Sequence, residues 1–121
     1  MTYVDGFLLV VPKKNLKTYK KIAQMAGRIW KKYGALEYFE CVGDDLNPKF
    51  TVLKFPELVK TKPGEAVLFS FIIYKSKAHR NAVNKKVMKD PTMSPENFKD
   101  KPMPFDMKRM AYGGFKVLVQ K

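Results

Sequence analysis

A chain of 121 residues has the length of one domain, and a hydrophobic fraction of 45% is typical of a packed core rather than of a disordered segment. One cysteine and one histidine exclude an internal disulfide and the usual zinc sites, which need several sulfur or nitrogen ligands. The formal net charge of +13 predicts attraction to polyanions or to acidic ligands.

The first half of the chain predicts a strand, a helix and a second strand. Residues 4–11 form an unbroken apolar run, which is typical of a strand buried on both faces. Asn15 is placed to begin a helix whose apolar side chains recur every three or four positions, and Gly34 is placed to end it. Residues 36–42 predict the second strand, before a Gly-Asp-Asp turn.

The second half predicts strand, helix and strand, separated by two proline-rich segments. Residues 46–64 predict an extended excursion with one short strand or helical turn. Residues 66–74 are apolar on both faces and predict a strand, after which Ser76 is placed to cap a helix. Residues 91–108 predict a long loop with one short helical turn, and residues 109–119 predict the last strand.

This order of elements, βαββαβ, is the split βαβ arrangement of the ferredoxin-like fold. The fold class is therefore α+β, with a four-stranded antiparallel sheet covered by helices on one face, in a single domain over residues 1–121. Strands that are apolar on both faces would leave an exposed apolar surface on the other side of the sheet. A second copy of the chain is the simplest cover, so we expect a homodimer.

The N-terminal sequence indicates where the protein resides. It has no basic segment followed by a long apolar run, and its apolar stretch is too short for a signal sequence or a membrane span. A lone thiol fits a reducing compartment. We expect a cytoplasmic protein that does not insert into a membrane.

Four blocks spread along nearly the whole chain resemble those of a known family: Tyr3-Val4-Asp5-Gly6-Phe7; Gly34-Ala35-Leu36-Glu37-Tyr38 with Glu40-Cys41-Val42-Gly43-Asp44-Asp45; Tyr74-Lys75-Ser76-Lys77-Ala78-His79-Arg80 with Val87-Met88-Lys89-Asp90-Pro91; and Met103-Pro104-Phe105-Asp106 with Lys108-Arg109-Met110-Ala111-Tyr112-Gly113-Gly114-Phe115. The chain resembles the YbaA-like family of small bacterial proteins, domain of unknown function 1428. The resemblance implies two ferredoxin-like sheets packed face to face, as in the dimeric α/β-barrel superfamily. It implies no activity, because that superfamily includes cofactor-free monooxygenases, dismutase-like haem enzymes and small-molecule binding proteins.

The candidate catalytic residues are His79 and Arg109. His79 lies in the first turn of the second predicted helix, where the positive helix end disfavours the imidazolium and leaves a neutral base or hydrogen-bond partner. The alternative, which we favour, is a histidine that hydrogen-bonds a backbone group and packs. Arg109 could orient an anionic group of a ligand.

Glu37 and Glu40 fall on opposite faces of their strand, so they cannot act as a carboxylate pair on one face. The glutamate that points inward needs a partner, for which Arg109 or a tyrosine of the last strand is available. An ion pair within the domain or at the dimer interface is the favoured interpretation.

A ligand pocket is predicted between the helices, the sheet and the loop of residues 91–108. It would be bounded by His79 and Arg109, and the predicted lining is Trp30, Tyr38, Glu40, Met103, Phe105 and Tyr112. Cys41 is interpreted as a buried small hydrophobe. No metal and no cofactor is assigned.

These features support two functional hypotheses. The first is a homodimer that binds a small, partly apolar ligand, with a cofactor-free reaction left open. The alternative is a nucleic-acid-associated protein that uses the basic outer face of its helices. Because the aromatic residues are predicted on the buried side of those helices, the expected contact with nucleic acid is nonspecific and sensitive to salt. A third, structural interpretation is a dimer that assembles with another protein.

Overall fold

A computed structural model describes residues 2–99 and 102–121. Its strands and helices are β1 (Tyr3–Pro12), α1 (Leu16–Lys32), β2 (Glu37–Val42), the single turn α2 (Phe55–Leu58), β3 (Glu65–Tyr74), α3 (Lys77–Lys89) and β4 (Ala111–Lys116). Short 3-10 turns lie at Lys13–Asn15, Pro91–Met93, Pro95–Phe98 and Met107–Arg109. The predicted helical turns in the two proline-rich segments are thus present.

The four strands of the described chain form one antiparallel sheet in the order β2-β3-β1-β4. The longest pairing joins β1 to β3 over ten residues, with Leu9 opposite Leu68. The predicted α+β class and ferredoxin-like fold are confirmed. In this topology α1 crosses from β1 to the edge strand β2, and α3 crosses from β3 to the other edge strand, β4.

The helix ends follow the predicted capping residues at two of three positions. The Ser76 side chain accepts a hydrogen bond from the backbone N–H of His79 at 3.0 Å, and Gly34 adopts a φ of 114° just beyond α1. Asn15 precedes α1 but does not cap it, because its side-chain amide donates to the Pro104 carbonyl at 3.0 Å. None of the helices formed by the described residues combines the length and the apolar character that crossing a bilayer requires.

The last strand is shorter than predicted, which moves Arg109 out of the sheet. Asp106 accepts a hydrogen bond from the Lys108 backbone N–H at 2.9 Å and begins a 3-10 turn over Met107–Arg109. This hydrogen bond from the backbone to the Asp106 side chain favours a turn over the extended backbone that a strand needs. The strand prediction for residues 109–110 and 117–119 was therefore wrong.

The two faces of the sheet differ in cover. The face under the helices buries Leu9, Val11, Leu68 and Tyr74 almost completely. The opposite face, called here the open face, leaves phenylalanine side chains exposed: Phe39 by 43%, Phe69 by 46% and Phe115 by 62%.

Cys41 also lies on the open face, and it is exposed. It is paired with Phe69 across β2 and β3, so its side chain points away from the helices. Residues 43–64 cover one end of the open face, where Val59 packs with Val10 and Val67. This cover does not bury Cys41, and the prediction that Cys41 is buried was wrong for the single chain.

A buried ion pair joins β1 to α3. The Asp5 side chain is 2% exposed, and its Oδ1 lies 3.3 Å from a guanidinium nitrogen of Arg80. Burial raises the pKa of Asp5, and the Arg80 charge opposes that shift. The guanidinium also donates to the Tyr112 hydroxyl at 2.5 Å and lies 5.0 Å from the centre of the Tyr3 ring. These contacts attach α3 to the centre and the β4 edge of the sheet.

Replacing Arg80 with methionine should destabilise the fold by about 3–5 kcal/mol, because it leaves a buried carboxylate without its cation. The double variant Asp5→Asn with Arg80→Met should lose less than the two single variants together. Urea unfolding of the four proteins measures this coupling. Single losses that simply add would contradict the assignment of a buried pair.

Candidate functional site

A groove of about 900 Å³ lies between α1 and the edge strand β2. Its helix side is formed by Tyr19, Ala23 and Gly27, which are four residues apart and therefore share one face of α1. Its strand side includes Tyr38 and Glu40, which alternate with residues of the open face. The volume lies within the range of small-molecule pockets. We call this feature the α1–β2 groove.

Gly27 fixes the position of Tyr38 in the α1–β2 groove. A Cβ atom at Gly27 would lie 3.0 Å from a Tyr38 ring carbon. The ring therefore packs directly against the helix backbone, which a side chain at residue 27 would cover. The Trp30 ring lies on the same side, with its centre 6.2 Å from that of Tyr38. The glycine thus brings α1 and β2 close together and directs the Tyr38 hydroxyl along the groove.

Glu40 is the polar centre of the α1–β2 groove. Its Oε1 accepts hydrogen bonds from the Tyr19 hydroxyl at 2.7 Å and from the Ser70 hydroxyl, and its Oε2 accepts one from the Tyr38 hydroxyl at 2.7 Å. The donors come from α1, β2 and β3, so the carboxylate ties three elements together. No lysine or arginine pairs with Glu40 among the residues that the structure describes.

The two phenols remain protonated. Burial, together with the hydrogen bond to Glu40, raises the pKa of Tyr19 far above its usual value. Burial and the charge of Glu40 raise the pKa of Tyr38 in the same direction. Each phenol therefore gives its one proton to the carboxylate and leaves oxygen lone pairs as acceptors.

Cationic side chains form the outer edge of the groove. One stripe of polar side chains on α1 borders the groove, with members four residues apart: Lys20, Gln24 and Arg28. It extends about 12 Å along the helix. Lys31 continues it, with its ammonium group donating to the Leu36 carbonyl at 2.7 Å. Lys20, Arg28 and Lys31, called here the basic rim, are all exposed.

The structure brings together some of the predicted lining residues. Tyr38 and Glu40 line the α1–β2 groove, and Trp30 packs beside it while donating to the Asn84 side chain at 3.1 Å. Phe105 contacts Tyr19 edge to face, with ring centres 5.6 Å apart.

Two other predicted lining residues lie elsewhere. Met103 is exposed in the segment before β4. It borders two shallow cavities, one between that segment and α1 and the other between that segment and the end of β1. Tyr112 lies on β4, with its ring 4.9 Å from that of Phe7. A single pocket containing all six residues is therefore not formed.

His79 and Arg109 lie at opposite ends of β3. His79 Nδ1 accepts a hydrogen bond from the Lys75 backbone N–H at 2.9 Å, just after β3 ends. Arg109 donates to both carboxylate oxygens of Glu65, the first residue of β3, at 2.5 and 2.9 Å. Ten strand residues separate these contacts by about 30 Å. The predicted pocket bounded by both residues was wrong. Neither partner considered for the inward glutamate, Arg109 or a tyrosine of the last strand, is hydrogen-bonded to Glu40.

The family of the chain follows from a comparison of its sequence with known families. Residues 2–107 match the family described as "Protein of unknown function (DUF1428)". The chain belongs to this family. The match covers all residues of the α1–β2 groove and ends within the 3-10 turn before β4.

Relatives of this DUF1428 chain carry the name "Uncharacterized protein YbaA". The proteins of that name from Escherichia coli K12 and Shigella flexneri are each 42% identical to this chain over 121 residues, covering all of both sequences. Among solved structures, a dimeric ferredoxin-like protein from an uncultured marine organism matches with a TM-score of 0.62 and 10% identity over all of both chains. At that identity the likeness establishes the fold.

Sequence reasoning about this DUF1428 chain missed Tyr19 and Ser70 as partners of Glu40. Tyr19 belongs to the apolar face of α1, and the helical periodicity that identifies this face does not indicate a partner for its hydroxyl. Ser70 is a polar residue inside the apolar run of β3, and it lies directly opposite Glu40 in the β2–β3 pairing. A buried hydroxyl in such a strand needs an acceptor, which is the signal that could have identified the pair.

Acid should weaken the contact between Glu65 and Arg109. Hydrogen bonds from Arg109 and from the Lys62 backbone lower the pKa of Glu65 from 4.5 to about 2. The contact therefore contributes stability above pH 4.5 that is lost as the pH falls towards 2. The melting temperature of Arg109→Gln should fall less than that of the wild type over this interval. The exposed neighbour Lys108→Gln is the control, and parallel curves for Arg109→Gln and wild type would contradict the assignment.

Proposed function

We propose that the protein is a homodimer in which each chain binds a small, partly apolar ligand in the α1–β2 groove. The observation that carries this proposal is the position of Glu40: its carboxylate lies at the centre of an otherwise largely apolar groove and accepts hydrogen bonds from three hydroxyl groups. Small-molecule sites typically combine apolar walls with a few convergent polar groups, and this groove has both.

We propose binding only. If the groove also catalyses a reaction, Glu40 is the residue placed to act as its acid–base group. It is the titratable group at the centre of the groove, with Tyr19 and Tyr38 as proton-bearing neighbours. His79 and Arg109 are engaged with Lys75 and Glu65 outside it. The acid–base role first predicted for His79 therefore has less structural support than a role for Glu40.

The open face supports the homodimer. The chain exposes 8853 Å² of surface, whereas a compact monomer of 14.0 kDa is expected to expose about 6,700 Å². This excess of roughly 2,000 Å² is shared between the open face and extended segments such as residues 50–53 and 118–119, so the support for a dimer comes from the exposed phenylalanine side chains of the open face. The stacked rings of Phe39 and Phe71, with centres 4.8 Å apart, give this face a flat aromatic surface suited to a second copy.

The basic outer face of the helices supports weak polyanion contact only. Exposed lysines lie on both α1 and α3: Lys17, Lys21, Lys85, Lys86 and Lys89. The exposed aromatic rings of Phe39, Phe69 and Phe115 lie on the opposite side of the sheet. Single-strand binding proteins place aromatic rings beside their basic groups. We therefore propose attraction to nucleic acid that is nonspecific and lost as salt rises.

The α1–β2 groove should bind the neutral fluorescent probe N-phenylnaphthylamine. Trp30 is the one tryptophan of the sequence and lies beside Tyr38, so energy transfer from Trp30 detects a bound probe, and the variants at residues 42 and 52 locate it. Val42 lines the groove and is 57% exposed, so Val42→Tyr should narrow the groove without disturbing the core. We expect this variant to weaken binding about tenfold, equivalent to about 1.4 kcal/mol.

The matched control for the probe experiment is Val52→Tyr, at a valine that is 89% exposed in residues 43–64. It adds the same side chain outside the groove and should leave binding unchanged. Equal binding by Val42→Tyr and Val52→Tyr would show that the probe lies elsewhere and would contradict the proposed site.

The homodimer should be lost when charge is placed on the open face. Phe69→Asp introduces two carboxylates into a two-fold interface and removes two buried rings, so we expect the dissociation constant to rise about a hundredfold or more. Sedimentation velocity over a range of concentrations measures it. Met88→Asp is the control, since Met88 is exposed by 62% on α3. A wild-type protein that sediments as a monomer would refute the dimer.

A further inference from the structure

We propose that the ligand of the α1–β2 groove is an amphiphilic organic anion: an apolar body, an N–H or O–H group that donates to Glu40, and an anionic group that pairs with the basic rim. This inference rests on the proposed binding function and adds the chemical class of the ligand. It is carried by the hydrogen-bond count at Glu40, by the charges of the rim and by the dimensions of the groove.

The hydrogen bonds at Glu40 require a ligand that donates. A carboxylate offers about four acceptor positions, two on each oxygen. Oε1 receives the Tyr19 and Ser70 hydroxyls, and Oε2 receives the Tyr38 hydroxyl, so Oε2 keeps one position. The phenol protons already point to the carboxylate, so their oxygens also act as acceptors. The polar centre of the groove therefore selects a donor.

The basic rim selects an anionic group on the same ligand. Lys20, Arg28 and Lys31 line the groove with three positive charges, against the single carboxylates of Glu37 and Glu40. The charge of Glu40 is already stabilised by three hydroxyl groups and needs no cation. A cationic ligand would meet the rim and the net charge of +13, which repel it.

The dimensions of the groove limit the apolar body. The stripe from Lys20 to Arg28 is about 12 Å long, which matches one or two aromatic rings or a short acyl chain. Ala23 and Gly27 keep the helix wall low, and the Tyr38 ring offers a face for stacking. Hence the donor and the anionic group belong to a compact molecule that reaches from Glu40 to the rim.

A matched set of fluorescent probes tests the anionic group. Anilinonaphthalene sulfonate has the apolar rings and N–H group of N-phenylnaphthylamine together with a sulfonate. At low ionic strength we expect the wild-type protein to bind the sulfonated probe about threefold to fivefold more tightly, since exposed ion pairs contribute at most about 1 kcal/mol. The triple variant Lys20→Gln, Arg28→Gln, Lys31→Gln should abolish this advantage. The control triple Lys17→Gln, Lys85→Gln, Lys89→Gln removes the same charge outside the groove and should retain it.

The donor is tested by methylation of the probe nitrogen. N-methylanilinonaphthalene sulfonate lacks the N–H group, and it should bind the wild-type protein several-fold more weakly than the unmethylated probe. In Glu40→Gln, which removes the carboxylate charge, the two probes should bind with similar affinity.

The outcomes distinguish this inference from the proposed function. One outcome is that Val42→Tyr weakens binding of the neutral probe while the sulfonate group fails to improve affinity, or improves it equally in the rim variant. In that case the groove binds ligands, but the assignment of an anionic ligand is wrong. If methylation changes nothing in the wild type, the donor assignment is wrong. If Val42→Tyr binds every probe as well as the wild type, the groove is not the site and the proposed function itself fails.

Discussion

Side chains alternate between the two faces of the sheet along β1 and β3, and this alternation determines what each face can cover or bind. One set of residues, including Leu9 and Leu68, enters the layer under the helices, and the other, including Phe69 and Phe71, stays on the open face. Both sets are apolar, but α1 and α3 cover only the first set and leave the second set exposed. The groove with Glu40 consequently lies in the covered layer, whereas the open face is not covered by the helices.

The two inward carboxylates of the sheet illustrate different uses of a buried charge. Asp5 lies beneath α3 at 2% side-chain exposure and pairs with Arg80, which is the usual way to hold a buried charge within a fold. Glu40 lies on the edge strand β2, receives hydroxyl groups instead of a cation and keeps an acceptor position. The first arrangement attaches a helix to the sheet. The second leaves capacity for a ligand, which is why we place the binding site there.

The sequence predicted the elements well because local signals determine them, and it predicted the site less well because that depends on distant pairings. Apolar periodicity and Ser76 located the helices, and alternation correctly separated Glu40 from Glu37. The partner of Glu40 depended on which strands are neighbours, so Ser70 escaped notice. Arg109 was misplaced because the side chain of Asp106 ends the extended backbone before β4. Cys41 was predicted as buried because it lies within a strand and has no histidine or cysteine partner, but its side chain is on the face of the sheet that the helices leave open.

We infer that the Glu40 cluster serves ligand binding rather than folding. Urea unfolding of the quadruple variant Glu40→Leu, Tyr19→Phe, Tyr38→Phe, Ser70→Ala measures its contribution to stability, because all polar partners are replaced together by apolar groups of similar shape. We expect a free energy of unfolding within about 1 kcal/mol of the wild-type value, or above it. A loss of more than about 3 kcal/mol would show that the cluster is a structural element and would overturn this inference.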